Sequence, residues 1–496
     1  MKVIKPASVQ YLSPERLTRW AYVNFLVFTL YLEQRAKKNK IARENFLGMI
    51  ASLLPTELPH QLAITHACVI GLLLKKKIPI FSCWSGALAE LLQVVVAAKL
   101  FQSWKRNVGS RKTMRNALSL SGLAPDELKD MEQLTFKQWV SVLLPLPQPM
   151  AVQWSYPGVH KIRTVAYAHV GKTKTERLLM DVFKHGETPP EAPIFLYIHG
   201  GGWVIGSRRI APFACVYQIA RMGWIVCVID YRLSPRVAFP THLIDSKRAV
   251  AYLRRHARTE FHANAEFIAI GGESAGGHLA ALVGLTADDK SLQPGFEDVD
   301  TSVRAVVDTF GVHDFTDRHG IYYARDRTHG FLHYLEFFVM QKKLRDYRED
   351  FMRASPIAFL DDDRAAHRRD VVPPFLISHG THDNIVPLDD SRLFFDRLAR
   401  YRTTLPEAMR TYEEKTRGGV HDVFVEVPYA THMFNFFLSP RAVAHGYAVC
   451  AFLRHVYNKT KDVPLHARLF PSRVEQECTV CREPRRTLSS VAFSKL

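Results

Sequence analysis

Gly272-Glu273-Ser274-Ala275-Gly276 follows the apolar run Phe267-Ile268-Ala269-Ile270-Gly271 and precedes a small-residue stretch from His278 to Thr286. The run is predicted as a buried parallel strand and the stretch as a helix, which places a G-x-S-x-G pentapeptide in a strand–turn–helix context. A nucleophile elbow requires that context. Ser274 would occupy a strained turn, and its glycine neighbours, Gly272 and Gly276, would carry no side chain to clash with the adjacent strand or helix. Taken alone, the pentapeptide also fits an ordinary Gly/Ser loop. Its meaning depends on what else the chain supplies.

The chain has 496 residues, 47% hydrophobic and 23% charged, so it can bury a sizeable core in one large domain with additions or in two or three domains. Its net charge of +18 is uneven, with 20 Lys/Arg against 9 Asp/Glu in residues 1–150. A basic surface suits nucleic acid, anionic lipid or acidic substrates. No nucleic-acid motif accompanies it, so no nucleic-acid partner is expected and a membrane surface is favoured. The seven cysteines are scattered and odd in number, which argues for a reducing compartment. Cys478-Thr-Val-Cys481 is a single CxxC with only His466 nearby, so no metal site is expected. No apolar h-region follows Met1-Lys2-Val3-Ile4-Lys5, and no secretory signal is read. The chain ends Ser494-Lys495-Leu496, a peroxisomal address read by an import receptor, on a charged tail (459–496) poor in apolar runs.

Residues 1–150 read as helical, hydrophobic and basic. Trp20 to Leu32 gives way to Arg35-Ala36-Lys37-Lys38-Asn39-Lys40, and Leu62 to Leu74 ends at Lys75-Lys76-Lys77. Ile78 to Leu100 is nearly long enough to span a bilayer but holds Pro79, Glu90 and Lys99. A buried helical region acting as a cap, contact with a membrane surface, and a true span all fit this pattern. Pro145-Leu146-Pro147-Gln148-Pro149 reads as a stiff linker that no helix continues through. From 151 to 458 short apolar strands alternate with helices, after a first strand pair at His160 to Ala168 and Arg177 to Phe183. The strands are Ile194 to Ile198, Trp224 to Asp230, Phe267 to Ile270, Arg304 to Thr309, Pro374 to Ser378 and Val423 to Val427. This alternation predicts an α/β fold with a mostly parallel central sheet flanked by helices. An insertion at about 311–360 is rich in aromatics (Phe315, Tyr322, Tyr323, Phe331, Tyr334, Phe337, Phe338, Phe351), read as core or as a helical cap over the site.

His199-Gly200-Gly201-Gly202-Trp203 ends the Ile194 to Ile198 strand. Consecutive glycines let backbone N–H groups approach a ligand, as the oxyanion of acyl transfer requires. A serine nucleophile also needs a base and an orienting acid, in the chain order Ser, acid, His. Asp383, just past the Pro374 to Ser378 strand, is the acid candidate. Asp361 to Asp363, Asp389 and Asp390 are assigned to a solvated cluster and a helix start. His432 follows the Val423 to Val427 strand, on the carboxyl side where the other candidates lie; His421 precedes that strand and is disfavoured.

HGGGW at 199–203, Asp230-Tyr231-Arg232-Leu233-Ser234-Pro235, Gly272-Glu273-Ser274-Ala275-Gly276-Gly277, Gly380-Thr381-His382-Asp383 with Val386-Pro387, and His432-Met433-Phe434 together resemble the hormone-sensitive lipase family of α/β-hydrolases. The resemblance covers about residues 160–458. It implies a cofactor-free ester hydrolase with Ser274 as nucleophile, His432 as base and Asp383 as acid, and an oxyanion hole from the N–H groups of Gly201, Gly202 and Ala275. It also implies a cap built from N-terminal helices. Glu273 stands where the family often has Asp, and the 311–360 segment is expanded. Asp230, Arg232 and Asp245 are read as structural anchors. The expected substrate is a small hydrophobic carboxylic ester, a lipid or sterol ester among them. A non-catalytic binding protein and an amide hydrolase or deacetylase on the same fold are the alternatives.

Overall fold

The computed structural model describes residues 14–37, 53–76, 84–131, 133–143, 148–171, 173–325, 327–361 and 370–465. The Ser494-Lys495-Leu496 terminus, the Cys478/Cys481 pair, Pro145 and Pro147, and Asp362 and Asp363 lie outside them. The strands are β1 (Val159–Val170), β2 (Glu176–His185), β3 (Ala192–Ile198), β4 (Ile225–Ile229), β5 (Ala263–Glu273), β6 (Val306–Thr309), β7 (Phe375–Gly380) and β8 (Val423–Val427). They form one sheet in the order β1-β2-β4-β3-β5-β6-β7-β8. β1 and β2 are antiparallel to their neighbours and the remaining pairings are parallel. Every residue of β3 and β4 is buried. Strands covered on both faces by helices must be apolar on both sides, which explains the unbroken Ile194 to Ile198 and Ile225 to Ile229 runs.

The connectivity positions the site. From β3 the chain crosses to β4 on one side, then returns over β3 to β5 on the other. The order of winding therefore reverses at β3, and the crevice beyond its carboxyl end is where such sheets bind ligands. Two motifs 70-odd residues apart in sequence become neighbours there, with Ile198 opposite Gly272.

The N-terminal region is helical, as expected. Pro14–Lys37, Pro59–Lys75 and Trp84–Leu120 pack around Tyr22, Val23, Leu26, Leu73, Ala89, Val96 and Leu100. Outward, the same helices expose Val27, Phe28, Tyr31, Leu72, Leu74, Leu91, Val94 and Phe101. The third helix does not stop at Leu100, where the apolar run ends. It continues 20 residues to Leu120, and its second half is amphipathic: Met114 and Leu118 enter the core against the sheet and the helix Pro440–Thr460. A buried polar cluster ties the two regions together. Arg441 pairs with Glu57, its Nε donates to Ser110 Oγ (3.0 Å), and its backbone N–H donates to Asn107 Oδ1 (2.7 Å).

Among the described residues no helix runs through the proline-rich stretch: one ends at Leu143 before it. A helix, Gln148–Ser155, begins inside it, with Pro149 in the first turn where no intrahelical donor is required. The aromatic insertion divides: Phe315, Tyr322 and Phe351 are buried in the main core, while Phe337 is 72% exposed.

Candidate active site

Ser274 ends β5 with φ 54° and ψ −121°, a strained conformation for a residue bearing a side chain. The turn is held by close packing: a Cβ on Gly272 would sit 2.6 Å from the Ile198 carbonyl oxygen, and one on Gly276 would meet the same oxygen more closely still. Only glycine fits at either position. The hydroxyl is left partly accessible at the start of the helix Ala275–Leu285.

The structure brings Ser274, His432 and Asp383 into one hydrogen-bonded line. Ser274 Oγ lies 3.1 Å from His432 Nε2, and His432 Nδ1 lies 2.7 Å from Asp383 Oδ2. Asp383 Oδ1 accepts the N–H groups of Ile385 and Val386, both at 2.9 Å. Burial acts to raise the pKa of Asp383, but His432 and His379 outweigh it and hold the carboxyl well below the usual carboxylate range. An ionised acid is therefore fixed against the imidazole edge that faces away from the serine. The Phe310 ring packs on His432 with centroids 4.6 Å apart.

Gly201 and Gly202 take φ 116° and 60° in the loop after β3, which comes close to the serine: a Cβ on Gly200 would lie 3.3 Å from Ser274 Cβ. Among the described residues, none accepts a hydrogen bond from the N–H of Gly201, Gly202 or Ala275. The supports are fixed from behind: His199 stacks on Tyr231 (4.4 Å between centroids), and Trp203 Nε1 donates to His278 Nδ1 (3.2 Å). A Cβ on Gly200 would lie 2.9 Å from Glu273 O.

The other candidates separate cleanly. His421 is exposed ahead of β8 and joins none of these groups. Asp361 pairs with Arg318 and Asp389 with Arg392. Arg232 holds Asp245 in a two-pronged contact, and Asp230 accepts from Arg208, as anchors should. Burial pushes the Glu273 carboxyl up to about 7, partly offset by Asn435 and Tyr197 beside it.

Asp390 departs from expectation. It is buried, not a solvated helix-start residue, and accepts from both the backbone N–H (2.8 Å) and Nδ1 (3.0 Å) of His313. His313 Nε2 lies 2.7 Å from Asp308 Oδ2, giving a buried Asp–His–Asp cluster behind the site. Nothing in the sequence flagged it, because its members are 5 and 77 residues apart and match no motif.

Residues 180–398 match the BD-FAE family model. Probable carboxylic ester hydrolase LipM of Mycobacterium tuberculosis is 32% identical over 340 residues, covering 68% of this chain and 71% of its own length. Esterase LipC of the same organism is 33% identical over 321 residues, 63% of this chain and 72% of its own. Neutral cholesterol ester hydrolase 1 of Mus musculus is 32% identical over 133 residues, 26% of this chain and 32% of its own. Sheet order, elbow and these relatives define an α/β-hydrolase. The chain belongs to the hormone-sensitive lipase family of that fold. It is a carboxylic ester hydrolase.

The His313 cluster makes stability depend on pH. Burial alone would lower the imidazole pKa, but Asp308 and Asp390 override it and push it up to about 9. A raised folded-state pKa contributes stability that is full below the unfolded value of about 6.5 and is lost as pH rises through about 9. Thermal unfolding should therefore show a Tm that falls between pH 7 and 10. In His313→Gln that slope should flatten, and the variant should be less stable at pH 7 by about 3 kcal/mol or more.

Proposed function

We propose that this esterase cleaves a hydrophobic carboxylic ester through an acyl-enzyme on Ser274. The observation that carries the reading is the unbroken Ser274–His432–Asp383 line ending on a strained serine. His432 takes the Ser274 proton as Oγ attacks the ester carbonyl carbon, and the Asp383 carboxylate stabilises the imidazolium that forms. The oxyanion is received by the N–H groups of Gly201, Gly202 and Ala275, which have no acceptor among the described residues. His432 then gives its proton to the departing alcohol. Water deprotonated by the same imidazole attacks the acyl carbon, and the acid leaves as Ser274 is regenerated.

A hydrophobic substrate is supported by the aromatic side chains that gather in the insertion, where Tyr323, Phe331 and Leu332 lie beside the buried Phe315 and Tyr322. The likeness to a neutral cholesterol ester hydrolase points the same way. Ser274→Ala should lower turnover of p-nitrophenyl esters by at least about a thousandfold while leaving the protein folded. In the wild type, kcat/KM should rise from acetate to longer acyl chains. A Ser274→Ala variant as active as the wild type would refute the assignment, and activity confined to acetate would refute the hydrophobic substrate.

We also infer that the N-terminal helices meet a lipid surface. From Gln61 to Leu74 no residue is charged, nor is any from Trp20 to Leu32, yet Phe28, Tyr31, Leu72 and Leu74 face water. A helix apolar all round is ordinarily buried in protein or lipid. Only 22% of the most apolar window of the third helix is buried. In the first two helices the apolar stretches of 13 or 14 residues run about 20 Å, short of the roughly 30 Å hydrocarbon core. Ala87–Leu120 is long and apolar enough to cross, but Met114 and Leu118 in its second half pack in the hydrolase core, which favours lying at the surface over spanning. Purified protein should float with phosphatidylcholine/phosphatidylserine vesicles, and a Leu91→Asp/Val94→Asp variant should not. Failure of the wild type to float would exclude the idea. Import into peroxisomes through Ser494-Lys495-Leu496 is proposed on the sequence alone. Deleting Leu496 should leave a fluorescent fusion cytosolic, whereas persistent punctate import would assign the address elsewhere.

A further inference from the structure

Two side chains of the insertion reach the loops on which the proposed catalytic groups sit. Tyr334, at the end of the helix Gly330–Tyr334, donates its hydroxyl to the Gly202 carbonyl oxygen at 2.7 Å. Arg325, ending the helix Ile321–Arg325, donates from Nη1 to the Asp383 carbonyl oxygen at 3.0 Å. One contact falls on the glycine loop after β3, the other on the acid loop after β7. These loops flank Ser274 from opposite sides, because β3 neighbours β5 on one side and β6 and β7 follow on the other.

We propose that the insertion is a brace for the catalytic loops, with Tyr334 and Arg325 as its positioning residues. This rests on the triad and oxyanion assignments made above. Inside the loop the Gly201 carbonyl accepts the N–H groups of Val204 (3.1 Å) and Ile205 (3.0 Å), which holds the Gly201–Gly202 plane, while Gly202, with φ 60° and no side chain, leaves the next plane to be fixed from outside. The Tyr334 hydroxyl fixes the Gly202–Trp203 plane by holding the Gly202 carbonyl, and so steadies the junction with the neighbouring plane that carries the Gly202 N–H assigned to the oxyanion. The oxygen lies 2.6 Å from where a Gly202 Cβ would be, so loop and tyrosine are in direct contact. Burial pushes the Tyr334 phenol up to about 12, which keeps the hydroxyl protonated and donating across the working pH range. Arg325 does the corresponding work for the acid. Asp383 already receives the Ile385 and Val386 N–H groups on its carboxylate, and the guanidinium adds a hold on its backbone. The two braces lie nine residues apart in sequence, and the stretch between them contributes Phe331 and Leu332 to the aromatic cluster.

Tyr334→Phe removes one oxygen and keeps the ring packing against Phe338. Full-length Tyr334→Phe, Arg325→Met, Arg325→Lys and Ser274→Ala are compared with the wild type on p-nitrophenyl butyrate, with Tm measured for each. Bracing predicts that Tyr334→Phe lowers kcat about tenfold with KM within about twofold and Tm unchanged, the split expected when an interaction serves the transition state alone. Arg325→Met should lose kcat similarly, and Arg325→Lys, which retains a donor, should recover most of it. Wild-type kcat in Tyr334→Phe and Arg325→Met, with Ser274→Ala inactive, would overturn the brace and leave the triad standing. A rise in KM at constant kcat would also overturn it, making these residues substrate contacts only. Full activity in Ser274→Ala would overturn the triad and the brace together.

Discussion

The site depends on one close approach, that of β5 and its following helix to the end of β3. Gly272 and Gly276 both press against the carbonyl of Ile198, at distances where no Cβ is tolerated. Because that contact is backbone against glycine, the helix Ala275–Leu285 starts directly over the strand end, and Ser274 must take a left-handed φ to make the turn. The same contact fixes how the glycine loop lies relative to the serine, since that loop begins at His199, immediately after Ile198. The glycine loop and Ser274 thus share a single packing constraint. Precision of this kind comes from rigid elements, not from the loops themselves.

Around that contact the remaining groups are set by buried polar clusters in place of apolar packing alone. Asp383 is held by two backbone amides, and His432 lies between it and the Phe310 ring. Behind them His313 joins Asp308, on β6, to Asp390, at the start of the helix Leu388–Thr404. The loop carrying Phe310 and the loop carrying Asp383 are therefore fastened to one another by charge. The buried imidazolium is the cation shared by two carboxylates, and its loss would leave Asp308 and Asp390 buried without it.

The strands, the elbow and the three residues of the Ser274–His432–Asp383 line were legible in the sequence because each depends on local signals: continuous apolar runs, glycines at sites of close approach, and position after a strand. β8 has the expected limits, and the other strands differ by a few residues at their ends. What was not legible depends on pairing across the chain. Asp390 looks like any helix-start aspartate until His313 arrives from 77 residues away. Tyr334 was one aromatic among eight, and nothing local distinguishes the one whose hydroxyl finds Gly202. The long helix outruns its apolar stretch because its character changes at Leu100 from apolar all round to amphipathic, as its surroundings change from other N-terminal helices to the hydrolase core.

The central claim is that Ser274 is a nucleophile activated by His432 in an assembled site. Intact-mass and peptide mapping after treatment with a fluorophosphonate tests it most directly. The account predicts one adduct per chain, on the peptide containing Ser274, formed rapidly in the wild type and at least about a hundredfold more slowly in His432→Ala. An adduct on another residue, or labelling of Ser274 at the same rate without His432, would contradict it.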